Sequence, residues 1–274
     1  MEEKKIGIIG TGSLGGMLIR AFTGKGAWPK DKILVFNRTP AKAEKYQEDL
    51  PGLRLAASPQ EVVDQCRWVF LCVKPGDLKD LLAEIGTVFG EDRIIISTLL
   101  SPSLKELDRL LQGKIVRVYP SVTQSVGHGV NLVCFGSRLS RADREELLGL
   151  INLIGKTFVV PEEHIRPYGD ITSCGPAFMS YMVYSLVEEA VEQGVDEKKA
   201  EEMALETMLG TALLLREEGS FAGLISRVAT PGGCTAEGIR VLQAGLPPVI
   251  REVFRVTWEK EQSLNQRITR ELES

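Results

Sequence analysis

Through the first 160 residues or so, short apolar runs alternate with stretches whose apolar residues recur at helical spacing. Ile6–Ile9, Ile33–Phe36, residues 67–73, Ile94–Ser97 and residues 114–118 read as strands, with amphipathic helices such as 101–111 between them. Ser101-Pro102 marks the expected start of that helix. Two more apolar runs, Val130–Phe135 and residues 157–160, surround a helical stretch over 141–154. Strand and helix alternating in this way predict a parallel sheet covered by helices on both faces. From Glu162 onward the β-rich runs stop, and residues 177–193, 197–216 and 248–272 carry long helical patterning. The expected architecture is α/β: a doubly wound sheet over residues 1–161, then an all-helical domain over 162–274. The apolar content of the helical part exceeds what a small lone bundle hides, which predicts a homodimer formed through the C-terminal helices.

The first strand ends directly in Gly10-Thr11-Gly12-Ser13-Leu14-Gly15, and a helix-patterned segment follows at 17–22. Glycines here permit a tight turn and let the main chain approach a dinucleotide pyrophosphate, whose charge faces the amides and positive dipole end of the new helix. The second strand ends in Asn37-Arg38-Thr39, where an NAD-specific site usually has an acid for the ribose 2′-hydroxyl. Arg38 reads either as a solvated strand-tip residue or as a partner for the adenosine 2′-phosphate, with Asn37 and Thr39 adding neutral hydrogen bonds. The position favours the second reading, so NADP(H) is expected and NAD(H) stays possible. In the loop Val73-Lys74-Pro75 after the next strand, Lys74 reads equally as a contact to the cofactor's phosphates or ribose and as a solvated loop lysine.

Composition narrows the class. With 33 basic and 37 acidic residues the net charge is −4, and no basic stripe suggests a nucleic-acid surface. No apolar run reaches the length of a membrane span, and the opening Met-Glu-Glu-Lys-Lys precedes only a short strand, so a cytoplasmic protein without membrane contact is expected. Cys66, Cys72, Cys134, Cys174 and Cys234 are scattered, which reads as reduced thiols. Cys72 and Cys134 fall in apolar runs as small core residues. With only His128 and His164 besides, no metal is expected.

A second glycine turn, Thr230-Pro231-Gly232-Gly233-Cys234-Thr235, interrupts the helical region before a helix expected over 236–243. It reads as a helix corner or as an anion site in which bare amides of Gly232, Gly233 and Cys234 face a carboxylate and Thr235 adds a hydroxyl.

These motifs, with residues 170–178 and Leu242-Gln243-Ala244-Gly245, resemble the pyrroline-5-carboxylate reductases along the whole chain. The resemblance implies a Rossmann domain that binds NAD(P), a helical dimerisation domain, and reduction of a cyclic imine acid to proline. It implies that the substrate carboxylate is held by Gly232, Gly233 and Cys234, that Ser173 and Cys174 border the substrate, and that Thr235 is catalytic beside the imine nitrogen. The chain departs from the family twice. Thr172-Ser173-Cys174-Gly175-Pro176-Ala177-Phe178 replaces a Ser/Gly-rich Ser-Gly-Ser-Gly-Pro-Ala-Tyr run, and Pro120-Ser121-Val122-Thr123 replaces Pro-Asn-Thr-Pro. In these changes it is similar to the reductase-like proteins encoded with late competence genes in Gram-positive bacteria. The expected function is NADPH-dependent reduction of 1-pyrroline-5-carboxylate or a related C=N compound. The alternative is a catalytically diverged, NADP-binding regulatory or competence-associated protein. A β-hydroxyacid dehydrogenase is disfavoured because no lysine lies between Lys156 and Lys198 to handle an alcohol proton. His164, near the domain junction, reads as a surface residue.

Overall fold

A computed structural model describes residues 5–273. In chain order the elements are β1 Ile6–Ile9, α1 Ser13–Thr23, β2 Ile33–Phe36, α2 Pro40–Asp49, β3 Arg54–Leu55, α3 Pro59–Gln65, β4 Trp68–Leu71, α4 Leu78–Ile85, β5 Ile94–Ser97 and α5 Leu104–Leu110. They continue with β6 Lys114–Tyr119, β7 Val130–Phe135, α6 Arg141–Asn152, β8 Lys156–Val159, α7 Ile165–Thr172, α8 Gly175–Glu192, α9 Glu197–Glu218, α10 Phe221–Val228 and α11 Cys234–Glu273, with short 3-10 turns between some of them.

The strands form one sheet in the order β3-β2-β1-β4-β5-β6-β7-β8. Every pairing is parallel except β6 with β7, so the sheet is mixed where a parallel one was expected. The reversal follows from the connection: β6 and β7 are joined by residues 120–129, which hold one 3-10 turn and no covering helix, too short for a parallel crossover. Helices cover both faces, and the strands alternate between two cores. Ile6, Ile8, Ile94 and Ile96 meet Phe22 of α1 and Leu147 of α6 on one face. Ile9 and Ile95 meet Val62 of α3, Leu82 of α4 and Leu107 of α5 on the other. Burial on both sides explains why β1 and Ile94–Ile96 of β5 read as continuous apolar runs rather than alternating.

Local boundaries shift in three places. Helix α5 starts at Ser103, whose hydroxyl and main chain form a capping box with Glu106, rather than at Ser101-Pro102. Cys72 lies one residue past β4, while Cys66 and Cys134 are buried and their thiols are pushed up to about 12 and about 11. Helix α11 runs through Pro247 and Pro248 as one element, where two segments were expected. A proline removes one intrahelical hydrogen bond and favours a kink, but it does not oblige the helix to end.

The chain divides into two compact units, one of the residues through Cys174 together with those from Thr257 on, the other Gly175–Val256. The first continues past Pro161 because Ile165 of α7 is buried in the α3–α5 core, and Leu272 packs there too. In the second, α8 packs on α9 and α9 on α10. Its buried apolar side chains are only Val187, Ala200 and Leu224, while Tyr181, Leu186, Met203, Leu205, Phe221 and Val241 are each more than half exposed.

One polar network ties the edge of the sheet opposite the carboxyl ends of β1 and β4. Asp143 closes the capping box of α6 with Ser140 and accepts from Arg67 at 2.9 Å and Lys114 at 2.8 Å. Burial opposes its ionisation, but hydrogen bonds from Lys114, Ser140 and Arg67 outweigh that and hold the carboxyl well below the usual range. Replacing Asp143 by Ala leaves Lys114 without its carboxylate and Arg67 with Glu146 alone at 3.1 Å, and is expected to cost about 3 kcal/mol of stability in denaturant unfolding. Because the folded-state value is depressed, this contribution is full at neutral pH and wanes as pH drops below about 4, so the wild-type and Asp143→Ala curves converge in acid.

Candidate nucleotide and substrate site

Strand order reverses at β1, whose neighbours are β2 and β4. Ligands of open α/β sheets bind outside the carboxyl ends of strands at such a point. A cavity of about 340 Å³ opens there, lined by the ends of β1 and β2, by Gly10 and Gly12, and by the loop after β4. Gly10 has φ of +99°, and a Cβ on it would collide with the carbonyl of Cys72. Gly15 packs against the carbonyl of Gly10 with no room for a side chain. Gly12 differs: a Cβ built on it meets nothing within 4 Å, and the residue lines the cavity, so its bare face is open to an incoming group. Helix α1 begins with Gly12 at its cap, no side-chain cap and no acid in its first turn. The buried Thr11 hydroxyl has no hydrogen-bond partner. These features fit a pyrophosphate: exposed amides, a positive helix end and a spare donor. Ser13 is exposed at the helix start, and Leu14 packs on the core.

Of the strand-tip residues, Asn37, Arg38 and Thr39 all line the cavity. The Asn37 amide is occupied within the protein, accepting from the Thr11 amide at 3.0 Å and donating to the Thr39 carbonyl at 2.9 Å, so it shapes the glycine turn. Thr39 caps α2 without a side-chain hydrogen bond. Arg38, three-quarters exposed, donates to Asp77 at 3.0 Å. Val73 and Lys74 line the cavity, whereas Pro75 opens the 3-10 turn Pro75–Asp77. The cavity also holds Lys42 and Asp77, which sequence reasoning passed over. The available signals were a lysine one helical turn after Arg38 and an acid in the loop opposite it. Cys72 lines the same cavity, and burial pushes its thiol up to about 12, so it stays a neutral wall.

Ser173 and Cys174 meet the carboxyl end of β6. The Ser173 hydroxyl donates to the Pro120 carbonyl at 3.0 Å, and Cys174 Sγ accepts from Arg166 at 2.9 Å. Arg166 also pairs with the buried Asp170 and lies 3.6 Å from Glu261, while Thr257 donates to Asp170 at 2.8 Å. Burial raises Glu261, opposed by Arg166 and Arg117, and it pushes Tyr119 up to about 12. Of this cluster, sequence reasoning picked out only the two ends of the 173–174 step. The rest was hidden because Tyr119, Arg166 and Glu261 come from segments far apart in the chain. Ser121, where the resemblance implies an Asn, is buried and forms a capping box with Gln124.

In the helical unit, Gly232 has φ of +76° and a Cβ on it meets nothing within 4 Å. The Gly233 carbonyl accepts from the Ala236 amide at 3.1 Å, and Cys234 and Thr235 are the exposed first residues of α11. The helix expected from 236 thus starts two residues earlier, with the Thr235 hydroxyl in its first turn.

A doubly wound sheet with a three-glycine turn at its switch point defines a dinucleotide-binding domain. Comparison with known proteins narrows this class. Residues 162–264 match the family described as pyrroline-5-carboxylate reductase dimerisation, and residues 5–101 match NADP oxidoreductase, coenzyme F420-dependent. The chain is 32% identical over 258 residues to ComE operon protein 4 of Bacillus subtilis, covering 93% of this chain and 94% of that one. It is 28% identical over 268 residues to the pyrroline-5-carboxylate reductase of Escherichia coli, covering 96% and 99%. The fold matches the solved pyrroline carboxylate reductase of Plasmodium falciparum with NADP bound, at TM-score 0.84 and 21% identity over 97% of this chain and 99% of that one. The chain belongs to the pyrroline-5-carboxylate reductase family.

Gly10 and Gly12 make separable predictions. Gly10→Ala forces a left-handed φ on alanine and is expected to destabilise by about 2 kcal/mol or more, read as a lower melting temperature. Gly12→Ala should leave melting unchanged and weaken dinucleotide binding severalfold in a fluorescence titration.

Proposed function

We propose that the protein is an NADPH-dependent reductase of a cyclic imine acid, 1-pyrroline-5-carboxylate or a close C=N relative. The observation that carries this reading is the switch-point cavity: open backbone at Gly12, an uncapped α1 and a strand tip bearing Arg38 with no acid of its own. When bound, the reduced nicotinamide supplies a hydride. The protein's part is to bind and orient. Gly10, Thr11, Gly12 and the start of α1 hold the pyrophosphate, with Lys74 at the cavity wall and Arg38 and Lys42 near the adenosine end. The amides of Gly232 and Cys234 hold the substrate carboxylate, while the Gly233 amide is spent on the Thr230 carbonyl at 3.0 Å and shapes the turn. Thr235 Oγ1 or a water donates a proton to the imine nitrogen, and a substrate that arrives already protonated needs no strong acid.

Residues 162–274 serve as the dimerisation and substrate segment. Helical faces carrying Tyr181, Leu186, Leu205 and Phe221 in solvent far exceed what a soluble monomer keeps exposed, and a second copy of the chain is the simplest cover.

The second reading, a nucleotide-binding protein without this turnover, is favoured by the internal commitments of Ser121 and Cys174 and by the likeness to ComE operon protein 4. An NADPH-oxidation assay with 1-pyrroline-5-carboxylate separates the two: turnover is expected, and tight NADPH binding with none would overturn the reductase reading. Thr235→Ala is expected to lower kcat/KM about tenfold, the loss of one neutral hydrogen bond in the transition state, with NADPH affinity unchanged. Leu205→Glu is expected to shift sedimentation from dimer to monomer.

A further inference from the structure

The nucleotide cavity carries both signs of charge. Arg38, Lys42 and Lys74 line it, and so do Asp77, Asp80 and Glu84. A pocket shaped only to bind a 2′-phosphate dianion has no use for three carboxylates. One of them is engaged: Asp77 Oδ1 accepts from Arg38 Nη1 at 3.0 Å across the gap between the tip of β2 and the loop after β4. The remaining geometry does not require this pair for folding. Arg38 is three-quarters exposed and Asp77 about a third. Asp77 sits at the cap position of α4 but makes no side-chain cap hydrogen bond, so its charge is not spent on the helix.

We propose that Asp77 is a specificity-determining residue that competes with the cofactor's 2′-phosphate for Arg38 and so sets how strongly the protein prefers phosphorylated over unphosphorylated cofactor. The inference rests on the nucleotide reading of this cavity. A 2′-phosphate that engages Arg38 must displace Asp77 and then lies beside a carboxylate of like charge. A 2′-hydroxyl meets neither penalty, because the carboxylate accepts a hydrogen bond from it. Asp77 thus supplies, from the neighbouring loop, the acid that is missing from the end of β2. Arg38 and Asp77 together make a site that tolerates both cofactors, with the phosphorylated one held less tightly than three nearby cations would allow.

The test is the affinity of the full-length protein for NADPH and NADH, measured by nucleotide fluorescence, in wild type, Asp77→Asn and Asp80→Asn. Asp77→Asn frees Arg38 and removes the repulsion, so NADPH is expected to bind about fivefold more tightly and NADH no more tightly. The gain should shrink as salt rises from low to high ionic strength, which a change in packing alone would not do. Asp80→Asn removes the same charge from the same cavity without touching Arg38 and should give a smaller gain. An unchanged NADPH-to-NADH affinity ratio in Asp77→Asn, or an equal gain in Asp80→Asn, overturns the proposal while leaving the nucleotide reading intact. Failure of the wild-type protein to bind either nucleotide overturns both.

Discussion

The main-chain approach at Gly10 is the constraint on which the nucleotide site depends. Three strand ends are tied together there: the Gly10 amide donates to the Phe36 carbonyl and the Cys72 amide to the Ile9 carbonyl, each at 2.8 Å. With a left-handed residue at that knot, the chain turns sharply enough for Gly15 to nest on Gly10 and for α1 to point its first amides outward. Any side chain at Gly10 would push β1 away from the loop after β4. Asn37 then fixes the far side of the turn by bonding Thr11, so the same residues that close the strand ends also leave Gly12 bare toward the cavity.

Much of this was legible in the amino-acid pattern, because strands buried on both faces are written as continuous apolar runs. Ile6–Ile9, Ile33–Phe36, Ile94–Ser97 and Val130–Phe135 begin and end where the periodicity puts them. The two-residue β3, only partly covered at the sheet edge, has too little apolar signal to be seen. The antiparallel turn of β7 was hidden for another reason: direction is decided by connection length and not by the strand's own residues. At the site, the glycine spacing was readable because it states a backbone requirement. Asp77 and the Arg166–Asp170–Glu261 cluster were not, because their roles arise only when separate loops and helices meet.

The two units solve the burial problem differently. The first encloses a sheet between two full cores, while the second, as one chain, hides three apolar side chains and displays many more. At the departures Ser121 and Cys174, both side chains hold their own loops in place, Ser121 through Gln124 and Cys174 through Arg166.

The return of the chain to its first unit has a consequence for biosynthesis. Ile268 is buried, Leu272 packs on the α3–α5 core, and Thr269 donates to Glu106 at 2.7 Å. A ribosome delivers the sheet and its helices long before these residues emerge, and some eighty residues of intervening helix come out in between. The nascent N-terminal part must wait with an unfinished flank until the last turns of α11 arrive.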